Sequence, residues 1–235
     1  MPRSRHPKFN FTTFQEDGVR YDLNELAPYL DGKHMQVIKT RLKAVRDILG
    51  PTGDIILENH CYTDRLSAVQ MGNMAKKYQI MYFEEPVVPH PDLLSYVHRE
   101  TGIPVASGER MYSRWQFKER LDKDAIQIIQ PDVGNSGGIT EVKKICDMAY
   151  VYEAAVQIHV CGSQLVTAAS LHLEAAIPGF IIHEYNVNTS MPKILSLTKY
   201  QYEPVDGYFT VPELPGIGNE IADQTFARST VVTIA

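Results

Sequence analysis

Polar residues suited to metal binding and acid–base chemistry stand directly after a short apolar run in the first quarter of the chain. Residues 55–57 are Ile-Ile-Leu, and Glu58, Asn59 and His60 follow them. A short aliphatic run that ends in polar residues is typical of a buried parallel strand. Residues two apart in an extended chain point to the same side, so we expect Glu58 and His60 to present a carboxylate and an imidazole together.

The pattern recurs along the chain. Its later polar ends follow one another at intervals of 23 to 27 residues, and they are Glu84, Glu109, Asp132, His159 and Glu184. The sequence predicts strands at 8–11, 55–57, 80–83, 103–106, 125–129, 154–158 and 180–182, with a short β-like run at 208–211. It predicts helices at 34–49, 63–78, 91–101, 113–121, 138–150 and 163–177, with Thr63 as the N-cap of the second.

Regular alternation of strand and helix predicts an α/β fold of the (β/α)8 TIM-barrel type, in which functional residues stand at the carboxyl ends of the strands. A doubly wound sheet is the alternative, but it binds ligands where the strand order reverses and does not explain a polar end on every consecutive strand. We expect residues 1–235 to form one domain, with an irregular start at 1–33 and a tail at 202–235.

Three acidic strand ends indicate a metal site. Each glutamate taken alone fits a solvated charge at the end of a strand. Three carboxylates on consecutive strands cannot stay ionised close together without a cation, and oxygen ligands favour Mg²⁺. The sequence therefore predicts Glu58, Glu84 and Glu109 as metal ligands.

The next two strand ends could supply a general base. A carboxylate bonded to an imidazole fixes its tautomer and raises its basicity, so Asp132 and His159 form a candidate pair. A lone histidine is more often structural, but the neighbouring aspartate and the facing metal site favour the catalytic reading. Glu184 could act as an acid or could contact a neighbouring side chain.

Composition excludes several other classes of protein. The net charge of −5 and the lack of a basic cluster argue against nucleic-acid binding. No apolar run approaches the roughly 20 residues that cross a bilayer, and the first residues do not resemble a signal peptide. Three cysteines without metal-site spacing favour a reduced, cytoplasmic setting.

As an ordered set, these residues resemble the barrel domain of the enolase superfamily, mandelate racemase subgroup. The resemblance runs from about His34 to Ile221 and covers only the barrel portion. The pieces that carry it are Glu58-x-His60, Phe83-Glu84-Glu85-Pro86, Gly108-Glu109-Arg110, Gln130-Pro131-Asp132, Gly137-Gly138, His159, Glu184 and Pro215-Gly216-Ile217-Gly218.

The resemblance implies a function and a set of roles. His60, two residues after the first acidic strand end, is typical of acid-sugar dehydratases of the galactonate type, which are hydro-lyases of carbohydrate acid catabolism. The implied cofactor is Mg²⁺ and the implied partner is a small-molecule sugar acid. The implied metal ligands are Glu58, Glu84 and Glu109; the implied catalytic residues are His159, Asp132, His60 and Glu184; and Lys8, Asn10 and Arg110 are expected to contact substrate.

The implied reaction is a β-elimination. His159 would take the proton next to the substrate carboxylate, and an enediolate would form. Protonated His60 would help the neighbouring hydroxyl leave, and the product would be a 2-keto-3-deoxy acid.

Two departures from the family pattern leave alternatives open. The family usually has Asp where this chain has Glu58, and its capping domain and first βα unit are not recognisable in the sequence. A racemase or epimerase of a carboxylate substrate is one alternative. A non-catalytic fragment that needs a partner chain is the other, and unpaired strand edges would also allow a homo-oligomer.

Overall fold

A six-stranded parallel sheet forms the centre of the molecule in the computed structural model, which describes residues 7–15 and 17–233, without the side chain of Leu23. The strands are hydrogen-bonded in sequence order, β1 to β6. They are β1 (Lys8–Asn10), β2 (Ile55–Glu58), β3 (Ile80–Glu84), β4 (Val105–Ser107), β5 (Ile128–Ile129) and β6 (Ala155–Val156).

Helices connect the strands and cover the outside of the sheet. The α-helices are α1 (Gly32–Leu49), α2 (Arg65–Ala75), α3 (Pro91–Thr101), α4 (Arg114–Asp122), α5 (Gly138–Val151), α6 (Gln164–Glu174), α7 (Pro192–Leu195) and α8 (Asp223–Ala227). Short 3₁₀ helices span Leu23–Leu26, Lys76–Tyr78 and Val187–Ser190. The unbroken sequential order confirms the barrel-type prediction, because a doubly wound sheet would reverse its order.

Strand register brings the predicted site residues to one end of the sheet. Asn10 pairs with Glu58 across β1 and β2, and Glu58 pairs with Glu84 across β2 and β3. Asp132 and His159 form an isolated parallel bridge just beyond β5 and β6. Because all strands are parallel, their carboxyl ends meet at the same edge.

The sheet is buried on both faces, which explains why its strands are nearly continuous apolar runs. Its outer face packs with the helices in one large core. A smaller cluster contributed by four strands fills the barrel interior, and it consists of Ile56, Tyr82, Ala106 and Ile128.

One predicted strand is wrong. Residues 180–182 form a single bridge, between Phe180 and Val156, instead of a strand. The Ile181 amide donates to the Val156 carbonyl, but within the described chain residues 182–185 make no main-chain hydrogen bond to another main-chain group. An apolar run needs a partner on at least one side along its whole length to become a strand, and here the pairing ends after one residue.

The predicted N-cap of the second helix is also wrong. The cap is Asp64, whose carboxylate accepts hydrogen bonds from the amides of Leu66 and Ser67. Thr63 instead donates its hydroxyl to the Pro86 carbonyl, which ties the end of β2 to the loop after β3. Aspartate and threonine are both good caps, so composition alone did not distinguish them.

The tail contains less β structure than its sequence predicts. At 208–211 the only pairing is a bridge between Val205 and Tyr208, and a short helix, α8, follows that the sequence did not indicate. None of the helices among the described residues is long and apolar enough to cross a membrane.

Gly108 is expected to be intolerant of a side chain. A Cβ at this position would lie 2.4–2.7 Å from main-chain atoms of Gln130, so Gly108→Ala must push β4 away from β5 beside Glu109. We expect a loss of about 1–3 kcal/mol in the free energy of unfolding, measured by urea denaturation. Gly32→Ala is the control, because nothing lies within 4 Å of its Cβ; equal stabilities of the two variants would contradict this packing.

Candidate active site

An ammonium group stands among three carboxylates at the carboxyl ends of the strands. Lys8 Nζ lies 2.7 Å from Glu84 Oε1, 2.6 Å from Glu184 Oε1 and 3.5 Å from Glu58 Oε2. The glutamate side chains are at most 8% exposed and that of Lys8 is 21% exposed. The sequence placed Lys8 in the site as a substrate contact; the structure gives it the additional position of a counter-ion.

Burial and charge shift the protonation of this cluster. Burial alone would lower the pKa of Lys8, but attraction to Glu84, Glu184 and Glu58 outweighs it and holds that pKa well above its usual value. Burial and the neighbouring Glu84 raise the pKa of Glu58 well above its ordinary range. Burial opposes ionisation of Glu84 too, yet Lys8 lowers the pKa of Glu84 overall. A proton on Glu58 would relieve the repulsion between the two carboxylates.

The carboxylate oxygens of Glu58 and Glu84 suit a hard cation. Each carboxylate keeps one buried oxygen, Oε2, without a hydrogen-bond partner. Buried oxygens of this kind are costly unless something binds them. Glu58 Oε2 lies 3.5 Å from Lys8 Nζ. Two adjacent buried carboxylates whose Oε2 atoms accept no hydrogen bond therefore fit Mg²⁺ in the chemistry of their oxygen ligands.

Glu109 is oriented differently from the other two predicted ligands. Its Oε1 lies 3.1 Å from Arg110 Nη2, and its Oε2 lies 3.4 Å from His159 Nε2. Within residues 7–15 and 17–233, no group of three or more His, Cys, Asp or Glu side chains is arranged to hold a metal ion. The three-glutamate metal site thus stays a prediction. Arg110, expected to contact substrate, pairs with Glu109 and with the buried Glu85.

Asp132 and His159 are paired as their types suggested. His159 Nδ1 donates to Asp132 Oδ2 at 2.7 Å, while Asp132 Oδ1 accepts from the amides of Gly134 and Asn135. The aspartate is thereby fixed in place, and the imidazole keeps Nε2 on the side of Glu109. Burial would lower the pKa of His159, but the bond to Asp132 and the charges of Glu184 and Glu109 raise it to about 8.

His60 lies near Glu58, but through a turn of the main chain and not through the extended strand that the sequence predicted. β2 ends at Glu58, and His60 has a left-handed backbone with a φ of 47° instead of continuing the strand. Its amide donates to Glu58 Oε1 at 2.7 Å, and its Nδ1 lies 3.6 Å from that oxygen.

Asn10 fixes the tautomer of His60. Asn10 Oδ1 accepts from the amides of Thr12 and Thr13, so its Nδ2 is the donor to His60 Nδ1, 3.0 Å away. The neutral imidazole then carries its proton on Nε2. Burial lowers the pKa of His60, so the charged form expected from the resemblance is not favoured in this arrangement. Asn10, expected to contact substrate, lies beside the site through His60.

Glu184 is held by groups that sequence reasoning missed. Gln157 Nε2 and the amide of Val160 both donate to Glu184 Oε2, at 3.4 and 3.3 Å, and the buried Tyr82 hydroxyl donates to Gln157 Oε1. Burial raises the pKa of Glu184 although Lys8 opposes the shift. The signal was present in the sequence, because Tyr82 and Gln157 stand two residues before Glu84 and His159 and so share their side of the strand.

His183, the residue before Glu184, faces away from the site. Its Nδ1 donates to Glu174 Oε2 at 2.7 Å, and its ring lies 4.6 Å from that of Phe209. The His183 side chain thus packs between α6 and the tail.

The His159 ion pairs are expected to make stability depend on pH. The pKa of His159 is about 8 in the folded chain and 6.5 in the absence of its neighbours. Its contribution of about 2 kcal/mol is fully present below pH 6.5 and is lost as the pH rises through 8. Urea denaturation in a chelator should show this loss in the wild type and in the exposed control His90→Gln, but not in His159→Gln; parallel curves for all three would contradict it.

Family comparison decides what kind of barrel this is. A family model described as enolase C-terminal domain-like matches residues 11–225. The chain belongs to this family. The resemblance and the α/β barrel class predicted from the sequence are thereby confirmed for this enolase-type chain.

Several curated relatives of this enolase-type chain are named as arabinonate or galactonate dehydratases. It is 34% identical over 201 residues to the arabinonate dehydratase of Saccharolobus solfataricus, covering 84% of this chain and 52% of that protein. It is 30% identical over 187 residues to the D-galactonate dehydratase of Ralstonia pickettii, covering 77% and 49%. The chain spans about half the length of the curated relatives it matches.

A solved structure supports the assignment to the enolase-type family. The enolase-superfamily member from Salmonella Typhimurium superposes with a TM-score of 0.94 at 42% identity. The superposition covers 98% of this chain and 59% of that one. The chain thus has the enolase-type barrel fold and corresponds to part of the length of this relative.

Proposed function

We propose that residues 1–235 are a single enolase-type barrel domain of a Mg²⁺-dependent acid-sugar dehydratase located in the cytoplasm. The reaction would remove water from a sugar acid through an enediolate and yield a 2-keto-3-deoxy acid. The observation that carries the proposal is the Asp132–His159 pair at 2.7 Å, whose free nitrogen faces Glu109. The dehydratase names of the relatives support the reaction type.

His159 is the proposed proton acceptor. Asp132 accepts a hydrogen bond from His159 Nδ1–H, so the neutral imidazole would present an unprotonated Nε2 to the carbon next to the substrate carboxylate. Because the pKa of His159 is about 8, this neutral form becomes more abundant above neutral pH. A general base of this kind contributes about 10²–10⁴-fold to the rate.

His60 is the proposed acid for the departing hydroxyl. The acid would be the imidazolium form, in which Nδ1–H turns from the Asn10 amide to Glu58 Oε1, 3.6 Å away, and Nε2–H is donated to the leaving hydroxyl. Glu184, buried and with a raised pKa, would stabilise developing negative charge on the substrate when it is protonated. Lys8 and Arg110 add positive charge around the position of the substrate carboxylate.

Glu58, Glu84 and Glu109 would hold the metal ion. When bound, Mg²⁺ would supply positive charge that stabilises the substrate carboxylate as negative charge develops on it. The buried Oε2 atoms of Glu58 and Glu84, which accept no hydrogen bond, support this role. Glu109 would have to exchange its contacts with Arg110 and His159 for the ion.

The proposal is tested by 2-keto acid release from a panel of sugar acids that includes arabinonate and galactonate. We expect release that needs Mg²⁺, stops in EDTA and is lost in His159→Asn, while His90→Asn, an exposed histidine, behaves as the wild type. Epimerised acid without 2-keto acid would support the racemase alternative. Release that persists in His159→Asn would remove His159 from its role.

The fragment alternative has an observation of its own. The chain matches about half the length of its dehydratase relatives, so its activity could require further polypeptide. Suppose that no acid gives product but the chain still binds Mg²⁺. This result would favour the fragment alternative over the explanation that the metal site does not form.

A further inference from the structure

A buried carboxylate that the proposed mechanism does not use lies beside the candidate metal site. Glu85 follows Glu84 at the end of β3, and its side chain is 0% exposed. Its amide donates to the Ala106 carbonyl, and its own carbonyl accepts from the Cys61 amide. The main chain of Glu85 is thus fixed from two sides.

The backbone of Glu85 also carries strain. Its φ is 43°, in the left-handed region that residues other than glycine adopt at an energetic cost. Such a conformation persists where the surrounding structure fixes it, and it is frequent at functional sites. The turn that ends β3 brings the Glu85 carboxylate to Arg110, in the loop that follows β4.

Arg110 joins this fixed carboxylate to the third predicted metal ligand. Its Nε donates to Glu85 Oε2 at 3.0 Å, and its Nη2 lies 3.1 Å from Glu109 Oε1. A guanidinium has five N–H donors in a rigid fork, so it can hold two carboxylates at once. The side chain of Arg110 is 45% exposed and that of Glu109 is 12% exposed, so the arginine is the partner with room to move.

A second contact of Glu109 depends on protonation. His159 Nε2 lies 3.4 Å from Glu109 Oε2. Because His159 Nδ1 donates to Asp132, the neutral imidazole has no proton on Nε2 to give to Glu109. Arg110 stays charged at any ordinary pH, so it holds the Glu109 carboxylate whether or not His159 is charged.

Glu109 differs in this respect from the other two predicted ligands. Glu58 and Glu84 each keep a buried Oε2 that accepts no hydrogen bond, whereas both oxygens of Glu109 face a basic side chain. A divalent cation and a guanidinium at the same carboxylate repel each other. A cation that binds Glu109 must therefore displace Nη2 of Arg110.

We propose that Arg110, anchored on Glu85, competes with a divalent cation for Glu109 and thereby weakens cation binding. The inference deepens the proposed metal site and rests on it. Glu85 keeps Nε of Arg110 in place while Nη2 exchanges, so the guanidinium stays beside the site after Glu109 has turned to the cation. The affinity for the cation is thus set by this ion pair as well as by the three carboxylates.

Calorimetric titration with Mg²⁺ tests the competition in a variant that keeps the net charge of the chain. Arg110→Met alone would leave Glu85 buried without a partner, so the main variant combines Arg110→Met with Glu85→Gln. This double variant removes one positive and one negative charge and releases Glu109. We expect it to bind Mg²⁺ about tenfold more tightly than the wild type does.

Two controls assign the gain to Arg110. Glu85→Gln alone keeps the guanidinium at Glu109 and should bind Mg²⁺ no more tightly than the wild type. Arg114→Met combined with Glu141→Gln removes a similar ion pair between α4 and α5 and should bind Mg²⁺ as the wild type does. Circular dichroism establishes that each variant is folded. If the main double variant is not, Arg110→Met takes its place.

Three outcomes would overturn the proposal. The first is an affinity of the main double variant for Mg²⁺ that does not exceed that of the wild type. The second is an equal gain in either control. The third is the absence of saturable Mg²⁺ binding from both the wild type and the main double variant.

The titration does not measure turnover. A tighter site in the main double variant therefore supports the competition even if no sugar acid gives product. Conversely, a chain that dehydrates a sugar acid but binds Mg²⁺ equally well with and without Arg110 would keep the proposed reaction and lose this inference.

Discussion

Asp132→Asn is expected to lower kcat/KM for sugar-acid dehydration by about 10²–10⁴-fold, within the range of general-base catalysis. An asparagine amide in this place would donate to His159 Nδ1 instead of accepting from it, and the imidazole proton would move to Nε2, where the substrate proton must go. The effect should fall on kcat more than on KM. Steady-state kinetics of 2-keto acid formation measure it.

The matched control for this prediction is Asp92→Asn. Asp92 is exposed and pairs with Lys123 on the outside of the barrel, so the same chemical change there should leave the kinetics unchanged. A fall of less than threefold in Asp132→Asn would contradict the role of Asp132 in orienting His159.

Lys8→Met is expected to lower the free energy of unfolding by about 3–5 kcal/mol when no metal is present. The substitution removes the ammonium group from among Glu58, Glu84 and Glu184 and leaves buried carboxylates without a partner. Part of the lost stability should return in excess Mg²⁺, because an ion that binds the folded chain stabilises it by an amount that grows with the logarithm of the ion concentration relative to its dissociation constant. Urea denaturation with and without Mg²⁺ measures both effects.

Lys43→Met is the control for Lys8→Met. Lys43 pairs with Asp47 on the exposed side of α1, where an ion pair contributes about 0–1 kcal/mol. If the two variants lose the same small amount of stability, Lys8 is not the counter-ion of the buried carboxylates.

The positions of the strand ends followed directly from the sequence. A buried parallel strand is a short apolar run, and Glu58, Glu84 and His159 stand where such runs stop. Parallel register then places consecutive strand ends side by side, as it does for Glu58 and Glu84. The pairing of Asp132 with His159 was predictable for the same reason.

Contacts between distant parts of the chain were not predictable. Lys8 and Glu184 are 176 residues apart in sequence, and no local pattern indicates that an ammonium group would lie among the acidic strand ends. The orientation of Glu109 toward Arg110 and His159 is likewise a result of competing charges at the assembled site.

Local backbone geometry also limited the prediction. The rule that places residues 58 and 60 on one side assumes an extended chain, yet His60 has a positive φ and reaches Glu58 by a turn. The apolar run at 180–182 satisfies the strand pattern but has little pairing beyond Val156. Periodicity describes a segment, whereas strand formation depends on its neighbours.

Calorimetric titration with Mg²⁺ tests the central claim most directly, because it asks whether acidic strand ends of this barrel bind a cation and does not depend on turnover. We expect one saturable site per chain, lost in Glu84→Gln and kept in Glu100→Gln, an exposed glutamate on α3. A wild-type chain without saturable binding, or a Glu84→Gln variant that binds Mg²⁺ as the wild type does, would contradict the account.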